Sequence, residues 1–463
     1  MQPVLTRDEM QAADAAALSQ VSHETLVERA GTAVAQAALR ILSGAYGKRV
    51  VVVVGRGSNG ADGRVAAAIL ARRGARVSVI EAAEAPSVLS PCDLVLDGAY
   101  GTGFHGTYDA PEVAPGVPVL AIDIPSGINA DTGDAGGHAV RARHTVTFAA
   151  YKPGLLQGAG PERSGQVEVV DIGIDTGSAR AALMEDADIA ALLPARPRQS
   201  HKWVTALGVA AGSVGMEGSA VLCTRGALGA GAGMIRLGSP GDPAGPWPTE
   251  AVRMSLPETG WGSAFLEATV KCRALVIGPG LGTDEATQAE IRAVITGASV
   301  PMVVDADGLS ALGDLGAAQK ILAQRSAPTV LTPHDGEYAR LAGHPPGDDR
   351  LAAARHLAQE LGAVVLLKGP LTAVARPTDG SSTSPDVLLA AAGVPALATA
   401  GTGDVLSGVI GAFLARGMDA PTAAALAAHV HGRAAASGAL EGLVAGDLPA
   451  LVAAVLSRAR ADG

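Results

Sequence analysis

Two hydrophobic periods alternate along the chain. Short runs of consecutive β-branched and aliphatic residues, the pattern of a buried parallel strand, open into glycine-rich turns and then into segments with helical spacing. The first run is RVVVVV at 49–54; it closes into GRGSNGADG at 55–63, and a helix is predicted to about Arg73. Ahead of it, residues 6–42 predict two helices, with Asp8, Glu9 and Asp14 early and Leu26, Val27, Ala30 and Val34 along one stripe. Further strands are expected within 76–82, 93–103, 117–127, 144–150 and 166–173. The second half repeats the pattern at 206–213, 274–282, 301–312, 329–341 and 364–375. It culminates in TAGTGDVLSG at 399–408, which feeds a helix with apolar residues at 405, 406, 409, 410, 413 and 414.

Repeated strand–turn–helix units predict layered α/β architecture. A chain of 463 residues calls for more than one domain. The character changes at 174–200, where acid- and Ala-rich turns lead to LLPARPRQ with prolines at 194 and 197. The expected division is a first domain at 1–180, a connector at 181–200 and a second domain at 201–463. With 60 glycines and only 3% aromatic residues, Ala, Val, Leu and Gly must build the cores. The net charge of −10 and the lack of a long Lys/Arg run argue against a nucleic-acid surface. No apolar run suits a membrane span, and the N-terminal stretch lacks a signal peptide's apolar core. Cys92, Cys223 and Cys272 form no CxxC pair, so neither disulfides nor a cysteine metal site is expected, and a cytoplasmic location is.

The turns carry the chemistry. A Gly-Thr-Gly turn at 401–403 ahead of a helix offers backbone N–H groups and the positive end of the helix dipole to an anion. Asp404 then reads either as a capping acid or as a catalytic base, and the residues alone leave both open. Lys368 and the N–H groups of Gly369 and Gly403 suit phosphates, and His334 offers one donor and one acceptor or a structural role. Asp305 reads as a turn cap in preference to a water-mediated magnesium ligand. In the first half, Asp97 and Asp123 fall at strand carboxyl ends, the ligand edge of a parallel sheet. With Asn59 and Ser126 they make a hard oxygen set suited to a cation or a ribose.

The run LTRDEMQAADAAA…LVERAG with GRGSNGADG, DGAYGTG, DIPSGINADTG and TFAAYKPGLL resembles the NAD(P)H-hydrate epimerase domain over nearly all of residues 1–175. The resemblance implies potassium (K+) held by Asn59, Asp97 and Ser126. It places the hydrated nucleotide along Ser58, Asn59, Gly60, Ala61 and Asp62 and along Gly101, Thr102, Gly103, Phe104, His105, Gly106 and Thr107, with Asp123 as acid–base residue. Ser58 and Ala61 depart from the Asn and Gly usual in that loop. In the second half HK…GS, GPGLG, DADGL, TPHDGE, LKG..T and AGTGDVLSG, in that order, resemble the ribokinase-like ADP-dependent NAD(P)H-hydrate dehydratase over residues 185–455. This implies Ser219, Gly280, His334 and Asp404 at the hydrated nucleotide. Lys368, Gly369, Pro370, Leu371, Thr372 and Gly403 would take AMP or ADP, with Mg2+ as the dehydratase cation. Ser219 stands where the family commonly has Ala.

The expected fold is an N-terminal Rossmann-like three-layer α/β/α domain followed by a ribokinase-like α/β/α domain. The expected function is repair of hydrated nicotinamide cofactors. The first domain would interconvert R and S hydrates, and the second would dehydrate the S form as ADP becomes AMP and phosphate. Partners are then the small-molecule hydrates of NADH and NADPH and ADP, with no nucleic acid and no membrane; the Ala/Gly-rich helices leave a homo-oligomer open. Two rival readings are a ribokinase-like sugar or vitamin kinase, and a nucleotide-binding module with an inactive epimerase domain, the latter supported by Ser58 and Ala61.

Overall fold

Continuous apolar runs become parallel strands when both faces of a sheet are covered, and the computed structural model, which describes residues 1–381 and 384–462, has two such sheets. The chain divides into a unit of residues 2–180 and a unit of residues 181–463. Among the described residues no helix is long and apolar enough to cross a membrane.

The first unit contains Gln2–Val4 (β1), Arg49–Val54 (β2), Arg76–Glu81 (β3), Leu94–Gly98 (β4), Val119–Ile122 (β5), His144–Phe148 (β6) and Gln166–Val170 (β7). Its six-stranded sheet runs β3-β2-β4-β5-β6-β7, all parallel. The order reverses between β2 and β4, so a crevice opens beyond their carboxyl ends, where the Gly-rich turn and Asp97 lie. Strand alternation sends Val50, Val52 and Val54 to one face, in one buried cluster with Val34, Ala38, Ala66 and Leu70 of helices His23–Leu42 and Ser58–Arg72. Val51 and Val53 go to the other, with Leu89, Tyr108 and Val140. That second face is covered mainly by loop, so the third layer of the expected three-layer domain is largely irregular. The reason lies in 101–116, where Pro111, Pro115 and several glycines interrupt any helical stripe.

The second unit contains Ala181–Leu183 (β8), Ala206–Ala210 (β9), Met234–Pro240 (β10), Ala251–Leu256 (β11), Ala274–Ile277 (β12), Met302–Val304 (β13), Thr329–Leu331 (β14), Val364–Leu367 (β15), Thr372–Ala375 (β16) and Val387–Ala390 (β17). Within it the order is β8-β17-β16-β15-β14-β13-β12-β9-β10-β11. β16 is antiparallel to β15 and β17, and the other neighbours are parallel. Residues 181–200, expected as a connector, begin this unit instead. β8 pairs with β17, and Met184, Ile189 and Leu193 are buried in the second core.

Helix Thr402–Ala415 is buried along nearly its whole length and lies against helix Glu217–Gly229. Two glycines allow the approach. A Cβ at Gly408 would stand 2.0 Å from the Cys223 carbonyl oxygen, and one at Gly226 would stand 2.4 Å from that of Val405. Gly408→Ala is therefore expected to destabilise the second unit by about 1–3 kcal/mol through overpacking. Calorimetry on the whole chain checks this; an unmoved transition would mean that the helices are not in this contact.

Candidate active sites

In the first unit a cavity of about 180 Å3 opens at the carboxyl edge of the sheet, with Asp14, Ser58, Asn59, Asp62, Thr102, Asp123 and Lys152 among its lining and Leu26, Phe148 and Ile172 as apolar walls. Asp123 follows β5 with φ of 67°, a left-handed conformation that costs a non-glycine residue energy and marks a held position. Its Oδ1 accepts from Lys152 Nζ at 2.5 Å, Thr147 Oγ1 at 3.1 Å and the Phe148 N–H at 3.4 Å. Lys152, 1% exposed, also donates to Thr147 Oγ1 and to the Phe148 carbonyl. Every side-chain hydrogen bond of Asp123 thus ends on one oxygen. Asp62 lies on helix Ser58–Arg72 just past its first turn, 4% exposed. Burial, and then the charge of Asp123, pushes its carboxyl up to about 8. The same two causes raise Asp14 on helix Arg7–Leu18.

Beside this cavity Asn59, Asp97 and Ser126 meet around the Tyr100 backbone. Ser126 donates its hydroxyl to Asp97 Oδ1 (2.7 Å) and its N–H to Oδ2 (2.8 Å). Asn59 Nδ2 is 3.3 Å and Ser126 Oγ 3.2 Å from the Tyr100 carbonyl oxygen. Among the described residues Asp97 has no cationic side chain beside it, and burial pushes it up to about 6 in spite of the Ser126 bonds.

The predicted nucleotide loop is only partly gathered here. Ser58, Asn59, Asp62, Thr102 and Asp123 line the cavity. Gly60 is pressed against the Gly55 carbonyl, which a Cβ would meet at 1.9 Å, and the Ala61 N–H is taken by the Gly57 carbonyl. Gly101 backs onto the Asn59 side chain. Gly103, Phe104, His105, Gly106 and Thr107 continue the loop away from the lining; Phe104 packs on Tyr100 with ring centroids 4.9 Å apart, and the His105 ring meets Arg7.

The second site is built around the start of helix Thr402–Ala415. Gly401 caps it with φ of 87° and no side-chain partner, and the first helical bond is Val405 N–H to the Gly401 carbonyl. The N–H groups of Gly403 and Asp404 precede that bond and point to an anion site. Burial first, then the charge of Asp305, lifts Asp404 to about 7, while a hydrogen bond from Ser219 and the charge of Lys368 oppose the rise. Gly280 packs on Ser219, whose Cβ lies 2.9 Å from where a Gly280 Cβ would be.

Lys368 follows β15 and reaches inward. Its Nζ is 2.9 Å from Asp305 Oδ1, 3.6 Å from Glu337 Oε2 and 3.7 Å from the place of a Gly403 Cβ. Asp305, 2% exposed, also accepts from Thr332 (2.7 Å to Oδ1) and Ser407 (2.7 Å to Oδ2). Burial would raise Asp305, but the Lys368 ammonium and the hydroxyls carry it below the ordinary carboxylate value. Burial would likewise lower Lys368, and the surrounding carboxylates carry it above its ordinary value. Asp305 is therefore a buried hub rather than a turn cap. His334 caps helix Asp335–Ala342: its Nδ1 accepts from the N–H groups of Gly336 (3.0 Å) and Glu337 (3.3 Å). That commits Nδ1 as acceptor and leaves Nε2 as the ring's donor, 3.5 Å from Glu337 Oε2. Gly369 lies against the Arg350 guanidinium, and Pro370 and Leu371 turn into β16, where Thr372 returns a hydrogen bond to the Gly369 carbonyl.

Sequence reasoning missed Lys152, Thr332, Ser407 and Glu337 as parts of these sites. A lysine inside the apolar run FAAYKPGLL was the available signal for the first. The others look like ordinary strand-end and helix polar residues.

Residues 207–458 match the family model described as NAD(P)H-hydrate dehydratase, and residues 23–89 and 80–154 match that described as YjeF-related protein N-terminus. The chain is 40% identical over 450 residues to the bifunctional NAD(P)H-hydrate repair enzyme Nnr of Mycobacterium tuberculosis (strain ATCC 25618 / H37Rv), with 90% of each chain covered. It is 39% identical over 478 residues to the enzyme of the same name from Mycobacterium leprae (strain TN), covering 97% of this chain and 96% of the relative. Among solved structures, a ribokinase-like superfamily protein from Enterococcus faecalis V583 matches with a TM-score of 0.52 at 20% identity, over 60% of this chain and 96% of that one, a likeness of fold.

Asp404 has a consequence for stability. Its carboxyl rises from the ordinary 3.8 to about 7 on folding, so ionising it in the folded state is unfavourable. That penalty is absent below the unfolded value, grows between the two values and is complete above the folded one. Asp404→Asn removes it, so the variant should melt above the wild type at pH 8 and level with it at pH 4. A wild type that melts at or above the variant at pH 8 would contradict the shift.

Proposed function

The chain belongs to the bifunctional NAD(P)H-hydrate repair enzymes, and on that premise we propose which residues carry each activity. Water added to the reduced nicotinamide ring gives R and S hydrates. The enzyme interconverts these epimers and dehydrates the hydrate to NAD(P)H.

In the dehydratase site Asp404 is the base. The observation that carries this is its place: a partly buried carboxyl near neutral pKa, in the first turn of a helix whose leading N–H groups are free for phosphate. ADP lies with its phosphates against Gly403 and Lys368 and its remainder toward Gly369, Pro370, Leu371 and Thr372. Asp404 takes the proton of the ring hydroxyl as that oxygen attacks the β-phosphorus, and the bond to AMP breaks. Phosphate is a far better leaving group than hydroxide. It departs with the C–O bonding pair, assisted by the ring nitrogen, and loss of the neighbouring proton restores NAD(P)H. Preorganised N–H donors favour the charge that develops on the transferring group. Lys368 is held by Asp305 and Glu337, so it is a fixed donor rather than a free cation. Ser219, Gly280 and His334 face the hydrate. Among the described residues no group of three or more His, Cys, Asp or Glu is arranged to hold a metal. Asp305 has both oxygens engaged, so Mg2+ would be held by the nucleotide phosphates rather than by this carboxylate.

In the first unit Asp123 is the acid–base residue. Its buried, oriented pairing with Lys152 speaks against a decayed epimerase. Potassium suits Asn59, Asp97 and Ser126, because Asp97 is a buried carboxylate with no cationic partner. A bound cation would supply that missing charge and fix the 101–107 loop. The partners are small molecules, and the cytoplasm is the compartment that supplies them. The kinase alternative gives way because the dehydratase family model covers 207–458 and the relatives span both halves.

One assay with several arms tests this: mixed hydrates, ADP and absorbance of restored NADH. The wild type should convert both epimers. Asp404→Asn should lose restoration by about 10²-fold or more, whereas Asp123→Ala, or lithium in place of potassium, should stall once the S form is consumed. Full activity in Asp404→Asn would refute its role; complete conversion by Asp123→Ala would refute that of Asp123; and complete conversion in lithium would refute potassium.

A further inference from the structure

The epimerase cavity holds a second carboxyl that the reaction as described does not use. Asp62 is 4% exposed, lines the same cavity as Asp123, and among the described residues accepts no hydrogen bond and faces no cation of its own. A carboxyl buried this way keeps its proton, in line with its value of about 8. Asp123 is the reverse case. Lys152 pairs with its Oδ1, Thr147 and the Phe148 N–H donate to the same oxygen, and among the described residues Oδ2 has no partner. The other titratable groups in the lining are Asp14, His23 and Lys152, and Lys152 is committed to Asp123. One small cavity therefore contains a proton donor and a proton acceptor side by side, the arrangement that separates acid from base among like carboxyls.

The substrate needs both. The hydrate is a hemiaminal, in which the carbon that carries the hydroxyl is also bonded to the ring nitrogen. That nitrogen shares its lone pair with the carboxamide through the neighbouring double bond, so it expels hydroxide poorly; the alternative, breaking the carbon–nitrogen bond, requires a proton for the nitrogen. A lone base at the hydroxyl meets only half of the requirement.

We propose that Asp62 is the general acid of the epimerisation and Asp123 its general base, with Lys152 as the positioning residue of the base; this rests on the cavity being the epimerase site. Asp123 takes the hydroxyl proton, and the freed oxygen pair closes to a carbonyl. The carbon–nitrogen bond breaks, its electron pair goes to nitrogen, and nitrogen takes the Asp62 proton. Rotation of the open-chain aldehyde turns its other face to the nitrogen. Reclosure reverses each transfer: nitrogen attacks and returns its proton to Asp62, and oxygen recovers the proton from Asp123. No oxidant, reductant or water is consumed, and both carboxyls end as they began.

The test uses the full chain and purified R hydrate without ADP, with the R-to-S rate read by chromatography. Calorimetry of the same preparation monitors folding of the first unit, and ADP-dependent dehydration of the S form monitors the second. Asp62→Asn should lower kcat about 10²-fold or more with KM little changed. Lys152→Met should lower kcat as well, and Lys152→Arg should recover part of it. A near-wild-type Asp62→Asn beside an inactive Asp123→Asn would overturn the acid assignment. Near-wild-type rates in both would overturn the reading of the cavity instead. If Asp62→Asn fails to fold, the wild type in H2(18)O decides: ring opening lets inversion proceed with the original oxygen retained, and label taken up at every inversion overturns it.

Discussion

The dehydratase half depends on one buried carboxylate. Asp305 binds Lys368 and Thr332 through one oxygen and Ser407 through the other, and so ties the ends of β13, β14 and β15 to helix Thr402–Ala415. Ser407 lies three residues beyond Asp404 on that helix, so the Asp305–Ser407 bond sets the rotation that presents Asp404. The same negative charge, added to burial, is what lifts Asp404 toward neutrality. Breaking the pair would leave an uncompensated charge inside the protein, which is strongly destabilising. Position and protonation of the base thus share one cause.

A common device recurs in the two units. Each has an aspartate clamped by a lysine, Asp123 by the buried Lys152 and Asp305 by the half-buried Lys368, and a neighbouring aspartate without such a clamp, Asp62 and Asp404. Burial and the charge of the clamped member raise the second member. The units use the device differently. In the mechanism proposed for the dehydratase the raised carboxyl acts as base and the clamped one is structural. In that proposed for the epimerase cavity the clamped carboxyl is the base.

The strands were legible because parallel strands buried on both faces are nearly uniform apolar runs, as in RVVVVV and ALVI. Their carboxyl-end glycine turns and acids were legible for the same reason, and motif order singled out Asp404. What escaped depends on distant partners. Asp305 looks like a turn acid because Lys368 is 63 residues away and Ser407 is 102 residues away. Lys152 carries no local sign that Asp123, 29 residues earlier, takes its charge. His334 was assigned to substrate, and the structure adds a capping duty that fixes which ring nitrogen can serve. Residues 181–200 read as a connector because β8 is short and its partner β17 lies far along the chain.

In the proposed dehydration the ring hydroxyl itself, activated by Asp404, attacks ADP. The most direct measurement is the fate of that oxygen. S hydrate labelled with 18O at the ring hydroxyl should deliver the label to inorganic phosphate in a single turnover with unlabelled water. Label released as water, with unlabelled phosphate formed alongside, would contradict the account.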